Sequence, residues 1–596
     1  MVHYHITSDN PSTHYFSISI TIDHPDPAGQ RLSLPNWIPG SYMIRDFSRH
    51  LLDMSAACDG ETRCIEQIDK SNWRVEPCHG MLTIQYRVYA RDLSVRGSYL
   101  DQHRGYYNGT SVFLQVIGRE QEACEVLIKK PCAPACQNWR LATTLPIKDA
   151  ESFGFGLYTA KDYDELIDHP VEMGEFQQLR FEACGIPHDI ILTGRYTCDE
   201  VRLARDLKCI CEHHMRFFGG PAPVNYYQFQ VLVVGDGYGG LEHRCSTSLV
   251  CSRDSLPQPG ETEMTDHYRE FLGLCSHEYF HTWHVKRIKP ACFQPYRLQS
   301  EIYTPLLWAF EGITAYYDDL ALVRCGLIKP EGYLQLLAQT MTRLLRGKGS
   351  DRQSVAESSF NAWTRFYQQD ENASNAIVSY YTKGCLVALC IDLKIRSLTG
   401  GLHSLDDVMR RLWQNWQANG QGISEHDIQG IISELCATDC QDFLHQLIYQ
   451  TDELPLSTLL KTVGINMIRR VAVNQNDKGG TLVTARLPTV AFGAFLKTDN
   501  DGLRIMRVDE EGSAQMAGLA AEDLIIAVNG IKLNLNRFER LLLLASPGDG
   551  WTIHAFRRDE LHQFEVSLLP ASADTIVLQR DGTQQEVACL SWLTAS

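Results

Sequence analysis

The segment His277-Glu278-Tyr279-Phe280-His281 constrains this chain more than any other. It sets two imidazoles four residues apart, and on a helix this spacing brings both rings to one face, where they can share a zinc ion. A catalytic zinc keeps one position open for water, and Glu278 stands beside it, ready to take that water's proton. Because the chain has 21 histidines, the pattern can also arise by chance on a surface helix. The flanking residues therefore matter.

Those flanking residues predict a helix over 265–285. Thr265 can cap it and Asp266 lies in its first turn. A helix with an apolar stripe has a fixed buried face, so the direction of the two imidazoles is fixed as well. The stripe consists of Tyr268, Phe271, Leu272, Cys275 and Tyr279.

A zinc site of this kind needs a third protein ligand, and Glu311 is the candidate. It lies in residues 308–317, a mostly apolar run that predicts a second, buried helix. A lone carboxylate in such a run is costly unless it is paired or bound to a metal. A buried ion pair or an exposed helix edge would be the alternative. We expect His277, His281 and Glu311 to bind one zinc ion per chain.

With these motifs the chain resembles the gluzincin metallopeptidases of the aminopeptidase N clan, and most closely the glycyl aminopeptidase family within it. The resemblance covers nearly the whole chain and has no departure at a metal-binding position. It is carried by residues 277–283, 285–288, 308–317, 236–243, 37–42 and 44–47.

The resemblance implies a binding site for the free α-amine of a peptide. Glu242 matches the carboxylate that holds this amine in the clan, since a carboxylate pairs well with an ammonium group. Gly239 and Gly240 just before it would let the backbone approach the peptide. His243 could line the same pocket, although a core histidine is an equal alternative.

Tyr381 matches the tyrosine of a Tyr-x-Lys-Gly motif, which in the clan donates a hydrogen bond to the tetrahedral oxyanion. A phenol suits this role because it is neutral at pH 7 and can donate to a developing charge. The neighbouring Tyr380 is the alternative, and we expect it in the helical core.

Together these residues predict a zinc metallo-aminopeptidase that acts on peptides with a free N-terminus. The resemblance adds a preference for small first residues, Gly and then Ala. One alternative is a zinc endopeptidase or another zinc hydrolase of the clan. Another is a binding scaffold with a structural zinc, but a structural site needs neither Glu278 nor Tyr381.

Composition agrees with a soluble globular enzyme of several domains: 596 residues, 44% hydrophobic and 21% charged. A net charge of −17 argues against nucleic acid as a partner. The chain shows neither a secretory signal nor a membrane span. The 20 cysteines are scattered, which fits reduced thiols and a cytoplasmic location.

Changes in the sequence pattern predict an α+β multidomain chain. Alternating runs, such as residues 15–22, indicate a β-sandwich-like N-terminal domain over 1–165. An apolar strand near residues 227–234, followed by the ligand helices, indicates a thermolysin-like catalytic domain over 166–330. Long apolar stripes, such as residues 334–345 and 376–396, then indicate a helical subdomain over 331–460.

The C-terminal part, residues 480–572, resembles a PDZ domain. The resemblance lies in residues 512–519 and 522–530, followed by a helix over 536–544. The loop 492–495 could capture the C-terminus of a peptide, with strand pairing at its edge. A module that only packs against the catalytic domain is the alternative.

Overall fold

The computed structural model describes residues 1–582 and 586–594. The chain divides into two compact units, the first formed by residues 1–302 and 412–423 and the second by residues 303–411 and 424 onward. Within the described residues, every helix is too short or too polar to cross a lipid bilayer.

The N-terminal part of the first unit is rich in strands, as the alternating sequence pattern predicts. In the Tyr15–Ile22 strand every second residue is buried, so one face of the sheet packs on a core. The elements are β1 (Val2–Thr7), β2 (Tyr15–Ile22), β3 (Arg31–Ser33), β4 (Leu51–Cys58), β5 (Glu61–Arg63), β6 (Ile65–Gln67), β7 (Asn72–Val75), β8 (Leu82–Tyr89), β9 (Ser98–Leu100), β10 (Arg104–Tyr107), β11 (Gln115–Val116), β12 (Cys124–Ile128), β13 (Arg140–Ala142), β14 (Ile147–Asp149), β15 (Gly156–Ala160), α1 (Tyr163–Ile167) and β16 (Val171–Gly174).

These strands form three sheets. The largest has eight strands in the order β14-β15-β12-β1-β2-β8-β4-β5. Two four-stranded sheets, β13-β16-β10-β9 and β11-β3-β7-β6, complete this β-rich region.

The rest of the first unit is a five-stranded sheet with two long helices. Strands β18, β19 and β21 are parallel, whereas β20 is antiparallel and forms one edge. Its elements are β17 (Gln177–Ala183), β18 (Ile186–Thr193), α2 (Glu200–Phe217), β19 (Tyr227–Val234), β20 (Tyr238–Glu242), β21 (Ser246–Ser252) and α3 (Asp266–Phe280). The predicted apolar strand after residue 226 is β19, which is almost entirely buried.

Helix α3 carries the paired histidines and is shorter than its sequence predicts. Its start is as expected, with the Thr265 side chain accepting a hydrogen bond from the Tyr268 backbone N–H. The α-helix ends at Phe280, not at residue 285, and His281 is the C-cap residue. Tight turns follow, in which the N–H groups of Trp283 and His284 both donate to the Phe280 carbonyl oxygen.

The second unit begins with helices. A π-helical turn at Trp308–Gly312 leads into the next helix, and a second π-helical turn lies at Ala362–Phe366. The helices are α4 (Ile313–Arg324), α5 (Pro330–Arg346), α6 (Gly349–Arg352), α7 (Val355–Phe360), α8 (Ala373–Ala376), α9 (Thr382–Thr399), α10 (Leu405–Asn419), α11 (Glu425–Cys436), α12 (Gln441–Tyr449) and α13 (Leu456–Lys461). Residues 412–419 of α10 belong to the first unit.

A β-rich region follows these helices. Strands β24, β25, β26, β28 and β29 are neighbours in that order, and β27 pairs with β26. Strand β24 is an edge of this sheet, and β22 pairs separately with β31. The elements are β22 (Ile465–Arg470), β23 (Val490–Ala491), β24 (Ala494–Thr498), β25 (Leu503–Val508), α14 (Ser513–Met516), β26 (Leu524–Val528), β27 (Ile531–Lys532), α15 (Leu535–Leu544), β28 (Gly550–Arg557), β29 (Glu560–Ser567), β30 (Leu569–Pro570), β31 (Thr575–Arg580) and α16 (Glu586–Thr594).

Candidate active site

The imidazoles of His277 and His281 lie one above the other at the C-terminal end of α3. Their ring centroids are 4.7 Å apart and the rings are nearly perpendicular. The Nδ1 atom of His281 donates to the His284 carbonyl oxygen at 2.6 Å. This bond fixes the tautomer and leaves Nε2 of His281 as the nitrogen with a lone pair, as a metal ligand requires.

Glu278 lies on the same turn of α3 and is 5% exposed. It packs against the backbone of strand β20, because a Cβ atom added at Gly240 would overlap with the Glu278 carboxylate. One side-chain ligand atom from each of Glu242, Glu278 and His281 lies within 4.8 Å of the others. The first unit thus brings the predicted base and the predicted amine-binding carboxylate together.

Glu242, the last residue of β20, is a buried carboxylate, 4% exposed. Among the described residues its Oε1 atom has no hydrogen-bond partner. A buried carboxylate oxygen without a partner is unfavourable, so this atom favours a cationic ligand that the chain itself does not supply.

Two residues of the N-terminal β-rich region complete these surroundings, and neither was predicted to have a role. A Cβ atom at Gly40, where φ is +94°, would lie 2.5 Å from a carboxylate oxygen of Glu242. Arg96 donates from Nη2 to the Gly240 carbonyl oxygen at 3.3 Å. Only the resemblance of residues 37–42 to the family pointed to this segment.

In the sequence, Gly239 and His243 flank residues 240–242. A Cβ atom at Gly239 would make ordinary contacts, 3.8 Å from Val250, so that glycine is not required by packing there. His243 is buried, with Nδ1 3.7 Å from Asp168, whose carboxylate also pairs with Lys286 at 2.7 Å. Burial lowers the pKa of His243. The substrate-binding roles of both residues stay predictions.

In the second unit, Glu311 lies in the π-helical turn at Trp308–Gly312 and is 2% exposed. Such turns widen a helix locally and often occur at functional sites. A Cβ atom at Gly312 would lie 2.5 Å from the Cα atom of Gly384. The two glycines let the backbones touch, which keeps Glu311 close to the start of α9.

Tyr381 is the N-cap residue of α9, where the predicted continuous helical stripe is interrupted. It is partly exposed, whereas Tyr380 is fully buried, as we expect for a core residue. Burial and the Glu311 charge raise the pKa of the Tyr381 phenol, which therefore stays protonated and can donate a hydrogen bond at neutral pH.

The donor chemistry of His277, His281 and Glu311 fits zinc. Two imidazoles with one carboxylate form a ligand set of catalytic zinc sites, which keep one position open. The hydrogen bond from His281 Nδ1 orients one of these rings in the way common to ligating histidines.

The predicted peptide-binding loop 492–495 lines a cavity of about 210 Å³ together with residues of α15. In the neighbouring edge strand β24, both backbone groups of Leu496 are already hydrogen-bonded. Gln475 accepts from the Leu496 N–H at 2.8 Å and donates to the Leu496 carbonyl oxygen at 2.7 Å. The side-chain amide therefore takes the positions at which an added strand would pair with this residue.

Two protein-family models match parts of this chain. The Peptidase M61 N-terminal domain matches residues 3–175, and the M61 glycyl aminopeptidase family matches residues 270–387. The second match contains the α3 histidines, Glu311 and Tyr381. No curated protein matches the chain.

Two solved structures are similar to different degrees. An M1 zinc metallopeptidase from Deinococcus radiodurans is 13% identical, with a TM-score of 0.47, over 76% of this chain and 94% of that one. The aminopeptidase N family protein from Idiomarina loihiensis is 41% identical over 100% of both chains, with a TM-score of 0.96. The chain therefore belongs to the aminopeptidase N family and carries M61 peptidase domains.

Proposed function

We propose that this protein is a zinc-dependent aminopeptidase that removes N-terminal residues from peptides. The observation that carries the proposal is the buried Glu242 carboxylate, whose Oε1 has no partner among the described residues and which lies beside Glu278 and His281. A peptide α-ammonium would supply the missing cation, and its pairing with Glu242 would limit cleavage to the first bond.

His277, His281 and Glu311 are the proposed zinc ligands, each offering a nitrogen or a carboxylate oxygen. Bound zinc supplies polarisation of the scissile carbonyl and a lower pKa for a water molecule. In the proposed site the protein contributes the orientation of the ligands and the groups that move protons.

Glu278 is the proposed general base. Its carboxylate accepts a proton from the attacking water and then passes it to the leaving amine. The contact with Gly240 supports this role because it holds the carboxylate in one place. Tyr381 donates its phenolic proton in a hydrogen bond to the carbonyl oxygen as negative charge develops there.

A preference for Gly and then Ala at the N-terminus belongs to the same proposal. It is supported by the match to the M61 glycyl aminopeptidase family and by the turn at Gly40, whose backbone lies against the Glu242 carboxylate. Close backbone packing on the amine-binding group leaves little room beside the first residue of the substrate.

We also propose that residues 480–572 form a PDZ domain, on the strength of the edge strand β24, the loop 492–495 and helix α15. Capture of a peptide C-terminus there would require displacement of the Gln475 amide from Leu496. That contact favours the packing role over a freely open groove.

The decisive experiment measures hydrolysis of free and N-acetylated glycyl dipeptides by the wild type and by Glu242→Gln. This substitution removes the charge of the side chain and keeps its shape. The wild type should cleave only the free peptides. Glu242→Gln should lose about 2–5 kcal/mol of transition-state binding, the range for breaking a desolvated charge pair. Equal cleavage of free and blocked peptides would instead support a zinc endopeptidase.

The zinc content of variants distinguishes the proposed general base from the proposed zinc ligands. Glu278→Gln should keep about one zinc per chain while turnover falls by several orders of magnitude, and His281→Ala and Glu311→Ala should lose the metal as well. Full zinc content in both ligand variants would contradict the proposed ligand set.

A further inference from the structure

A cavity of about 420 Å³ in the second unit has an unusual charge. Four cationic side chains line it and, among the residues that the structure describes, no aspartate or glutamate does, although the whole chain carries a net charge of −17. The cations are Arg343 and Arg346 from α5, Lys478, and Arg507 from β25.

These charges are only partly neutralised. Arg346 pairs with Asp574 at 3.3 Å, and Nε of Arg507 is 3.9 Å from the Asp509 carboxylate. Within the part of the chain that the structure describes, neither Arg343 nor Lys478 has a carboxylate within ion-pair distance. Cations that share a cavity repel one another, so an anion bound among them would relieve this repulsion.

Neutral hydrogen-bonding groups complete the lining. They include the Ser374 hydroxyl, whose oxygen is buried and has no hydrogen-bond partner among the described residues. Ser379 and Gln369 also line the cavity. Guanidinium groups combined with hydroxyl donors are well suited to an oxyanion such as a carboxylate.

The cavity lies next to the proposed oxyanion-binding tyrosine. Thr382, directly after Tyr381, is part of its wall. So is Phe366, whose ring centroid is 5.6 Å from that of Tyr381. A group held in the cavity is therefore close to the residue that would contact the reacting carbonyl.

We propose that this cavity binds the C-terminal carboxylate of short peptide substrates. The proposal rests on the aminopeptidase function above, because it places the first carbonyl of the substrate at Tyr381. An extended peptide advances about 3.3–3.6 Å per residue, so a neighbouring carboxylate site selects peptides of a few residues. Arg343 and Lys478 supply the unpaired charges that recognise the free acid.

The test compares a peptide with its own amide: Gly-Ala-Ala with a free carboxylate and Gly-Ala-Ala-amide. The wild type should show a kcat/KM about tenfold to hundredfold higher for the free acid, as expected for hydrogen bonds to a charged group. The double variant Arg343→Gln/Lys478→Gln should bring this ratio close to one. Lys532→Gln, an exposed lysine outside the cavity lining, is the matched control and should keep the wild-type ratio.

Calorimetry separates this inference from the function on which it rests. The Glu278→Gln variant should bind the free acid about tenfold to hundredfold more tightly than the amide, whether or not the wild type hydrolyses either. Absence of hydrolysis would overturn the proposed function, whereas equal dissociation constants for acid and amide would overturn the cavity's role.

Inorganic phosphate distinguishes the other source of an oxyanion. Phosphate should bind weakly and compete with the free-acid peptide. If phosphate bound in a manner that depends on Arg343 and Lys478 while acid and amide peptides bound equally, the cavity would hold a free oxyanion and the peptide proposal would be wrong.

Discussion

At the scale of single residues, glycines position the candidate catalytic groups. Gly240 leaves space for the Glu278 carboxylate, Gly40 for that of Glu242, and Gly312 for the backbone at Gly384. In each case the missing Cβ allows an element to approach another that is distant in sequence. Glycine is the one residue that can do this without displacing its neighbour.

Gly240→Ala should therefore impair catalysis more than folding. The added methyl would overlap with the Glu278 carboxylate, and a shift of about 1 Å in a catalytic group can cost about 10²-fold in rate. We expect kcat/KM on a glycyl dipeptide to fall by about that factor, with zinc content and the thermal unfolding midpoint close to wild type.

Gly430→Ala is the matched control, since a Cβ atom there meets nothing within 4 Å. It should leave activity unchanged, and alanine should slightly favour helix α11. Wild-type activity in Gly240→Ala would show that the Glu278 carboxylate does not rest against this strand during catalysis.

The contacts of these glycines also show how much of the candidate site can be predicted from the sequence. Glu278 and Glu242 belong to recognisable motifs, and the structure places both near His281. The contact of Gly40 with Glu242 could not be predicted, because it joins residues 202 positions apart that share no local pattern. Local spacing specifies side chains on one helix but not which distant turn packs beside them.

At the scale of elements, α3 is held against its sheet by a buried histidine. Nδ1 of His188 on β18 donates to the Ile186 carbonyl oxygen, so Nε2 accepts from the Tyr279 hydroxyl at 3.0 Å. The His188 ring also stacks on Phe181. Burial lowers the pKa of His188 to about 4.

This histidine should make stability depend on pH. Below pH 6.5 the unfolded chain binds a proton at His188, whereas the buried ring in the folded protein stays neutral. The free energy of unfolding therefore decreases as the pH falls towards 4. The contribution of neutral His188 to the free energy of unfolding is fully present above pH 6.5. Below that pH it decreases by about 1.4 kcal/mol per pH unit. Denaturant unfolding of the wild type and His188→Gln across pH 4–7 measures the difference, and the variant should have the shallower slope.

The exposed His445 provides the comparison, and His445→Gln should keep the wild-type slope. Equal slopes for His188→Gln and the wild type would mean that the buried ring does not control the acid sensitivity of the contact between α3 and its sheet.

Elements were predicted well where one physical rule dominated. The alternating run gave β2 with its observed bounds, and the apolar run gave β19. Helix α3 ends before residue 285 because the chain turns there and His281 bonds to the His284 carbonyl oxygen. The π-helical turn at Glu311 was not predicted, since its residues have the same apolar pattern as an ordinary helix.

At the scale of the whole chain, the last described residues are part of the second unit's core. The indole N–H of Trp592 donates to the Tyr316 hydroxyl at 2.8 Å, and its carbonyl oxygen accepts from Arg324. The Ile576 N–H donates to the Thr342 hydroxyl at 2.9 Å. A chain ended near Thr462 would lack all three bonds and expose the helices that carry Glu311.

Residues 490–570, which include most of the proposed PDZ domain, can be deleted without removing the end of the chain. The Ala571 N–H donates to the Thr489 carbonyl oxygen at 3.0 Å, so these two positions are already adjacent. Replacing residues 490–570 with a short Gly-Ser linker closes a small loop at little entropic cost and keeps the pairing of β22 with β31.

We therefore expect opposite results from the two shortened proteins. The internal deletion should keep about one zinc per chain and hydrolyse glycyl dipeptides, because the catalytic residues and the packing of Trp592 are retained. The chain ended after Thr462 should lose cooperative unfolding and zinc, since burial of one large aromatic side chain and several hydrogen bonds is lost at once. Thermal unfolding, metal analysis and dipeptide kinetics on both proteins test this. A folded, active truncation beside an unfolded internal deletion would mean that the module, and not the end of the chain, stabilises the second unit.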